Sequence, residues 1–274
     1  MVALLTFLTL CCFALNSILS RIALSNGGVD PLQFALIRAV SAAIFLILLI
    51  LIRERKFSFS KTHIPNALAL SLYLICFTVA YVNLTTGVGA LILFGCVQLT
   101  MLGRSLQTGE KFGLQKIVGT LLAISGIGYL VWPGVETPNL FYALLMAAAG
   151  FGWGCYSILG KKSTSPTLET ANHFVKASII CFAAVLLRQH FFEVTSQGLM
   201  LAILSGAIAS GVGYSMWYHV LPKLRTITAS LLQLLVPIIA ATGGAILLQE
   251  PVSARLAISA LLTLAGVALA LLAH

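Results

Sequence analysis

Apolar runs of roughly twenty residues, each closed by a short polar or proline-marked break, repeat along the whole chain. They predict helical spans at about 3–24, 31–52, 64–84, 87–107, 114–132, 139–160, 169–188, 197–219, 226–247 and 252–272. The prolines fit this division. Pro31, Pro65, Pro133, Pro138, Pro166, Pro222 and Pro251 fall at or near the expected ends, where a missing N–H costs least. Only Pro237 falls inside a span, so the ninth helix should kink there and release carbonyls near the bilayer centre.

The cations give these spans a direction. One alternate set of loops holds Arg53, Arg55, Lys56, Lys61, Arg104, Lys111, Lys116, Lys161, Lys162, Lys223 and Arg225, and the other little more than Arg21, Arg188 and Arg255. Positive loops stay inside, so both termini are expected to be cytoplasmic.

A displacement of about 140 residues, without a gap, lays the second half on the first. It pairs Ser17-Ile18-Leu19 with Ser157-Ile158-Leu159, Arg21 with Lys161, Phe34 with Phe174 and Gly103 with Gly243. It also pairs Glu110 with Glu250, Leu121-Leu122 with Leu261-Leu262, and Gly126 with Gly266. Roughly 20 identities result, against about a dozen from composition. Five spans per copy is odd, so the second copy must enter the membrane from the opposite side. The expected fold class is therefore an all-α membrane protein of ten transmembrane helices, arranged as two inverted-topology five-helix repeats (1–134 and 138–274) around a central cavity.

Composition supports the bilayer as solvent. Of 274 residues 59% are hydrophobic and 8% charged, too few charges to cover a water-facing surface. The net charge of +9 lies between apolar runs, so it bears on topology and not on nucleic acid. Cys11, Cys12, Cys76, Cys96, Cys155 and Cys181 lie in apolar runs without a C-x-x-C pair, as small buried hydrophobes do. The N-terminal run lacks a basic start and continues past Asn16 to Leu24, so it is expected to be a retained helix and not a signal peptide.

Gly87-Val88-Gly89-Ala90-Leu91-Ile92-Leu93 leads into Gly109-Glu110-Lys111 and then Gly119-Thr120-Leu121-Leu122-Ala123-Ile124-Ser125-Gly126. The stretch resembles the fourth and fifth helices of an EamA repeat in the drug/metabolite transporter superfamily. The second half is similar through Ala229–Pro237, Gln249-Glu250-Pro251 and Ala265-Gly266-Val267, and Gly152-Trp153-Gly154-Cys155-Tyr156-Ser157 resembles the first helix of a repeat. Two departures stand out: Val97 where the family's helix-breaking proline often sits, and Phe13 in the place of Trp153. The resemblance implies a ten-helix basket whose cavity is lined by the first, third, fourth, sixth, eighth and ninth helices. It also implies metabolite export, amino acids included, across a bacterial inner membrane.

On those helices the mid-depth polar and aromatic side chains are Asn16, Tyr81, Gln98, Trp153, Tyr156, Tyr214, Trp217 and Gln233. Amides and phenols in hydrocarbon need partners, and either a wet substrate site or bonds between helices supplies them. Arg38 and Lys176 each lie about two turns inside a span. They can attract an anionic group of a substrate or snorkel to the headgroups. The acids Asp30, Glu54, Glu110, Glu136, Glu169, Glu193 and Glu250 all fall at loops or helix ends. A permanent cation would thus meet no counter-charge, and a proton-coupling carboxylate is missing, with His173 and His219 the remaining relay candidates.

The expected activity is alternating-access transport of a small neutral, zwitterionic or anionic metabolite by facilitated diffusion or exchange, as a monomer or homodimer in the lipid bilayer. No cofactor or metal is implied. A channel or a structural subunit is the other class, and no motif supports an enzyme.

Overall fold

The computed structural model describes residues 2–54, 56–60, 63–107, 113–134, 137–188, 193–224, 229 and 232–272. Arg55, Lys61, Glu110, Lys111, Glu136 and Arg225 lie outside the described residues. Among the described residues all regular structure is helical.

The helices are α1 (Val2–Ser25), α2 (Pro31–Glu54), α3 (Ile64–Ala80), α4 (Thr86–Gln107), α5 (Leu114–Val131), α6 (Leu140–Gly160) and α7 (Pro166–Arg188). Next come α8 (Ser196–Leu204), a π-helical stretch (Ser205–Val212) and α9 (Gly213–Val220), which with the turn Leu221–Lys223 form one rod. The last two are α10 (Leu235–Leu247) and α11 (Ala254–Leu272). Seven helices, the rod counted as one, are long and apolar enough to cross a membrane. Three more apolar helices, Ile64–Ala80, Leu235–Leu247 and Ala254–Ala270, are shorter. The chain is therefore a multi-pass membrane protein.

Two ends differ from the sequence pattern for physical reasons. The third span was expected to reach residue 84, but α3 stops at Ala80. There the chain turns, and the carbonyls of Tyr81 and Val82 accept the Arg21 guanidinium. In the ninth span the helical backbone breaks at Leu234, and Pro237 is the third residue of α10. A proline there has no N–H for the carbonyl four residues back, so the break falls just before it.

The outward side chains are apolar. Phe7, Ile44, Leu121, Leu144, Leu187 and Ile246 are exposed on different helices, a surface that water would penalise and lipid tails accept. Inside, α2 packs along α7 and α5 along α11. Helix α3 packs on α6, and α1 on the α8–α9 rod; α4 packs on α6, and α1 on α10. Exchanging the halves, first span for sixth and so on, maps each of these contacts onto itself or onto its counterpart.

The α5–α11 seam needs glycine. A Cβ on Gly119 would meet the Gly266 carbonyl and the Ala270 backbone, and one on Gly266 would meet the Ala123 amide and the Gly119 carbonyl. Backbone cannot swing aside as a side chain can, so the two helices approach this closely only without side chains there.

At one end of the bundle, three arginines tie loops together. Arg21 donates through Nε to Glu250 Oε1 at 3.0 Å, while Glu250 Oε2 accepts the Thr86 amide at 2.7 Å. Arg188 pairs with Asp30. Arg255 donates to the Trp132 carbonyl and to Thr137 Oγ1. Gln249, at φ 54°, reverses the chain after α10 so that Glu250 turns back toward Arg21.

Candidate functional site

The site is built on the π-helical stretch. In an α-helix, residues five apart point about 140° away from each other. The wider turn of Ser205–Val212, bonded from i to i+5, brings Ser205 and Ser210 to the same side. Both hydroxyls donate to Asn16 Oδ1 on α1, at 2.8 and 3.3 Å. Gly206 opens the way: a Cβ there would collide with Ser41 Oγ and the Arg38 carbonyl, so its absence lets the rod settle against α2.

Arg38 comes in from α2 with no exposure at all. Its Nε donates to Ser210 Oγ at 2.8 Å, and its Nη2 to Tyr214 Oη at 2.6 Å and Tyr73 Oη at 3.0 Å. The guanidinium carbon lies 5.3 Å from the Tyr73 ring centre and 5.0 Å from that of Phe77. Both buried Nη1 donors lack a partner, and no described carboxylate forms an ion pair with Arg38. A wholly buried ion without a counter-ion costs several kcal/mol. Hydroxyl bonds and ring faces offset part of that cost.

Around Arg38 stands a cluster of rings. Trp153 lies 4.6 Å from Tyr214 and 5.2 Å from Tyr73, and Phe13 meets Trp153 edge-on at 5.1 Å. Phe174 stacks on Tyr214 at 5.6 Å, and Phe13 also reaches Trp217 at 5.7 Å. The polar edges of the rings are matched across helices. Trp153 Nε1 donates to Gln233 Oε1 at 3.1 Å, and Trp217 Nε1 to Ser157 Oγ at 3.4 Å. Tyr156 Oη lies 3.2 Å from His173 Nδ1, and Tyr218 Oη donates to the Tyr156 carbonyl.

Six of the eight residues expected from the sequence, Asn16, Trp153, Tyr156, Tyr214, Trp217 and Gln233, meet within this hydrogen-bonded and aromatic assembly. Gln98 is fully buried on α4. Tyr81 stands at the edge of the assembly: its ring meets Phe77 edge-on at 4.7 Å, while its hydroxyl donates to the Thr86 carbonyl beside the Arg21–Glu250 pair. An open, water-filled pocket was also expected, whereas each of these eight side chains is at most 2% exposed. The rings fill the centre, and the site is closed to water in this conformation.

The two interior cations part company. Arg38 does not reach any headgroup, because the rod and α3 cover it. Lys176 is partly exposed on α7, with Nζ 5.6 Å from the Phe59 ring. Sequence reasoning passed over Tyr73, Phe77, Ser205, Ser210 and Tyr218. A signal existed for two of them, because Tyr73, Phe77 and Tyr81 recur every four residues along one face of α3 and the cap that follows it.

Apolar helices closed around a buried cation, amides and aromatic rings define a multi-pass membrane protein with a polar centre. The model of the EamA-like transporter family matches twice, at residues 1–132 and 140–272. The chain belongs to that family. An uncharacterized protein of Pseudomonas aeruginosa is 42% identical over 98% of this chain and 93% of its own. An Escherichia coli protein named "Probable amino-acid metabolite efflux pump" is 25% identical over 67% of each chain. A solved crystal structure matches with a TM-score of 0.72 and 16% identity over 98% of both chains, which speaks for the fold alone.

Proposed function

We propose that this chain is a secondary transporter that exports small zwitterionic, neutral or anionic metabolites such as amino acids, by alternating access at the cluster around Arg38. Ten spans form two inverted repeats in a bacterial inner membrane, with both termini cytoplasmic, and the halves rock about the central site. The exchange of helix contacts between halves supports this arrangement. So does the centre itself, where Phe13 and Trp153, partners in the 140-residue frame, touch each other.

The carrying observation is that mid-depth polar groups of both halves converge on one closed cluster. Asn16 and Arg38 of the first half bond Ser205, Ser210 and Tyr214 of the second. An interior of that kind is costly in lipid and is characteristic of substrate sites. The three tied arginines belong to the expected periplasmic loops, so the state in hand is closed on that side. The substrate class draws on the name of the Escherichia coli relative.

Counterflow into proteoliposomes preloaded with a mixture of the twenty amino acids tests the reading. Saturable exchange that Trp153→Ala abolishes is the expected result. Non-saturating flux would mark a channel, and no flux at all a structural subunit.

A further inference from the structure

Resting on the transporter reading, we propose that Arg38 anchors a carboxylate of the substrate, which makes the site selective for small carboxylates, amino acids among them, over amines that lack the acid group.

A guanidinium has five N–H donors in a planar fork. In Arg38 three are used, one by Ser210 and two by the tyrosines, while the pair on Nη1 has no partner. A carboxylate oxygen can accept from Nη1 directly, and if one tyrosine hydroxyl yields its place on Nη2, the parallel Nη1–H and Nη2–H become the fork that a carboxylate accepts in bidentate fashion. The charge points the same way. Arg38 is fully buried, and its neighbours are neutral: Ser210, Tyr73, Tyr214, Phe77 and, on the far side of Tyr214, Trp153. An arginine whose task was only to tie α2, α3 and the rod together would be cheaper as a neutral residue, because hydroxyl partners do not need a cation. A bound carboxylate would supply the missing counter-charge in the low-dielectric centre, where the pairing is strongest.

The hydroxyl partners suit this exchange. Tyr73, Tyr214 and Ser210 each carry an O–H that can turn from accepting an arginine proton to donating toward a carboxylate oxygen. Tyr214 already donates to Tyr73 at 2.9 Å, so a short relay of rotatable hydroxyls surrounds the cation. The apolar remainder of the substrate would meet ring faces of Phe13, Phe77 and Trp153.

Binding of a bare carboxylate tests the anchor separately from transport. Purified protein in detergent is heated with sodium propionate or, as the matched neutral probe, propionamide. Propionate should raise the unfolding temperature and propionamide should not, and Arg38→Gln should remove the propionate shift. In proteoliposomes, amino acids should exchange while the corresponding amino-acid amides do not. Arg38→Gln should slow that exchange roughly tenfold to a hundredfold, with Arg38→Lys in between. The unfolding temperature of ligand-free Arg38→Gln should stay within about 3 °C of the parent.

Equal shifts from propionate and propionamide, or an unchanged propionate shift in Arg38→Gln, overturn the anchor. Failure of both Arg38 variants to fold overturns it too, since the residue would then be a structural tie. An Arg38-dependent propionate shift without any amino-acid exchange supports the anchor and sinks the transport reading instead.

Discussion

Arg38 Nη2 donates to Tyr214 Oη at 2.6 Å and to Tyr73 Oη at 3.0 Å, and Tyr214 Oη in turn donates to Tyr73. The shortest bond of the triangle therefore joins α2 in the first half to α9 in the second. A hydrogen bond to a charged group contributes about 1.5–3 kcal/mol. Tyr214→Phe is expected to lower amino-acid exchange about tenfold or more, and Tyr73→Phe by less. Because the hydroxyls bond each other, the double variant should lose less than the two single losses added. Initial exchange rates of the three variants in proteoliposomes measure this, and strictly additive losses would show that the triangle does not act as a unit.

The Arg21–Glu250 pair closes a different part of the molecule. Glu250 uses one oxygen on Arg21 and the other on the Thr86 amide, so it joins the α3–α4 turn, α1 and the start of the last span. Both partners are partly exposed, which keeps the coupling near about 1 kcal/mol. Glu250→Gln should therefore raise the open population at this end several-fold without unfolding the protein. Thr86→Cys, placed in a chain freed of its six native cysteines, reports the change. Its labelling by a membrane-impermeant maleimide should be faster when Glu250→Gln is present. An unchanged labelling rate would mean that the pair is no latch.

Much of this could be read from the chain. Apolar runs and prolines located the helices because lipid demands uninterrupted backbone pairing, and the two rings that the 140-residue frame pairs, Phe13 and Trp153, lie in contact. The π-helical stretch was invisible. Ser205, Gly206, Ser210 and Gly211 look like packing residues, and only the widened turn brings the two serines onto Asn16. Arg38 was noticed but left between two roles, since depth along a helix does not say which way a side chain faces. Tyr73 on α3 and Ser210 and Tyr214 on the rod settle that it faces inward. Tyr81 lies just past the end of α3, so its ring reaches Phe77 while its hydroxyl serves the turn.

The α5–α11 seam predicts a loss of stability separable from any effect on substrate. Gly119→Val would drive methyl groups into the Gly266 carbonyl and the Ala270 backbone. Overpacking of this kind costs about 1–3 kcal/mol, and here no side chain can yield. The unfolding temperature in detergent should fall by several degrees, and Gly266→Val should match it. Substrate preference among amino acids should be unchanged in the surviving protein, because the seam makes no contact with the Arg38 cluster. A preserved unfolding temperature would show that the helices can part more easily than their backbone contacts suggest.

Energy coupling follows from where the acids are. Among the described residues, Asp30 and Glu250 are held in ion pairs, and Glu169 accepts from Thr164 and Ser165 at the start of α7. None of these reaches the Arg38 cluster, so among the described residues the centre offers no carboxylate to carry a proton across with the substrate. The group there with proton chemistry is His173, fully buried, with Nδ1 on the Tyr156 hydroxyl and Nε2 without a partner. Its surroundings are rings: His63 at 5.7 Å and Tyr218 at 5.9 Å. Glu169 and Lys176 on the same helix, and His63, also act on it electrostatically, and its bond to a phenol is one that a packing histidine makes. Amino-acid exchange should thus run at the same rate with equal pH on both sides as with an imposed gradient, and His173→Gln should leave that ratio near one. Parallel flux measurements at matched and unmatched pH decide the matter. An absolute need for the gradient that disappears in His173→Gln would make the histidine a proton relay and remove the exchange mechanism proposed here.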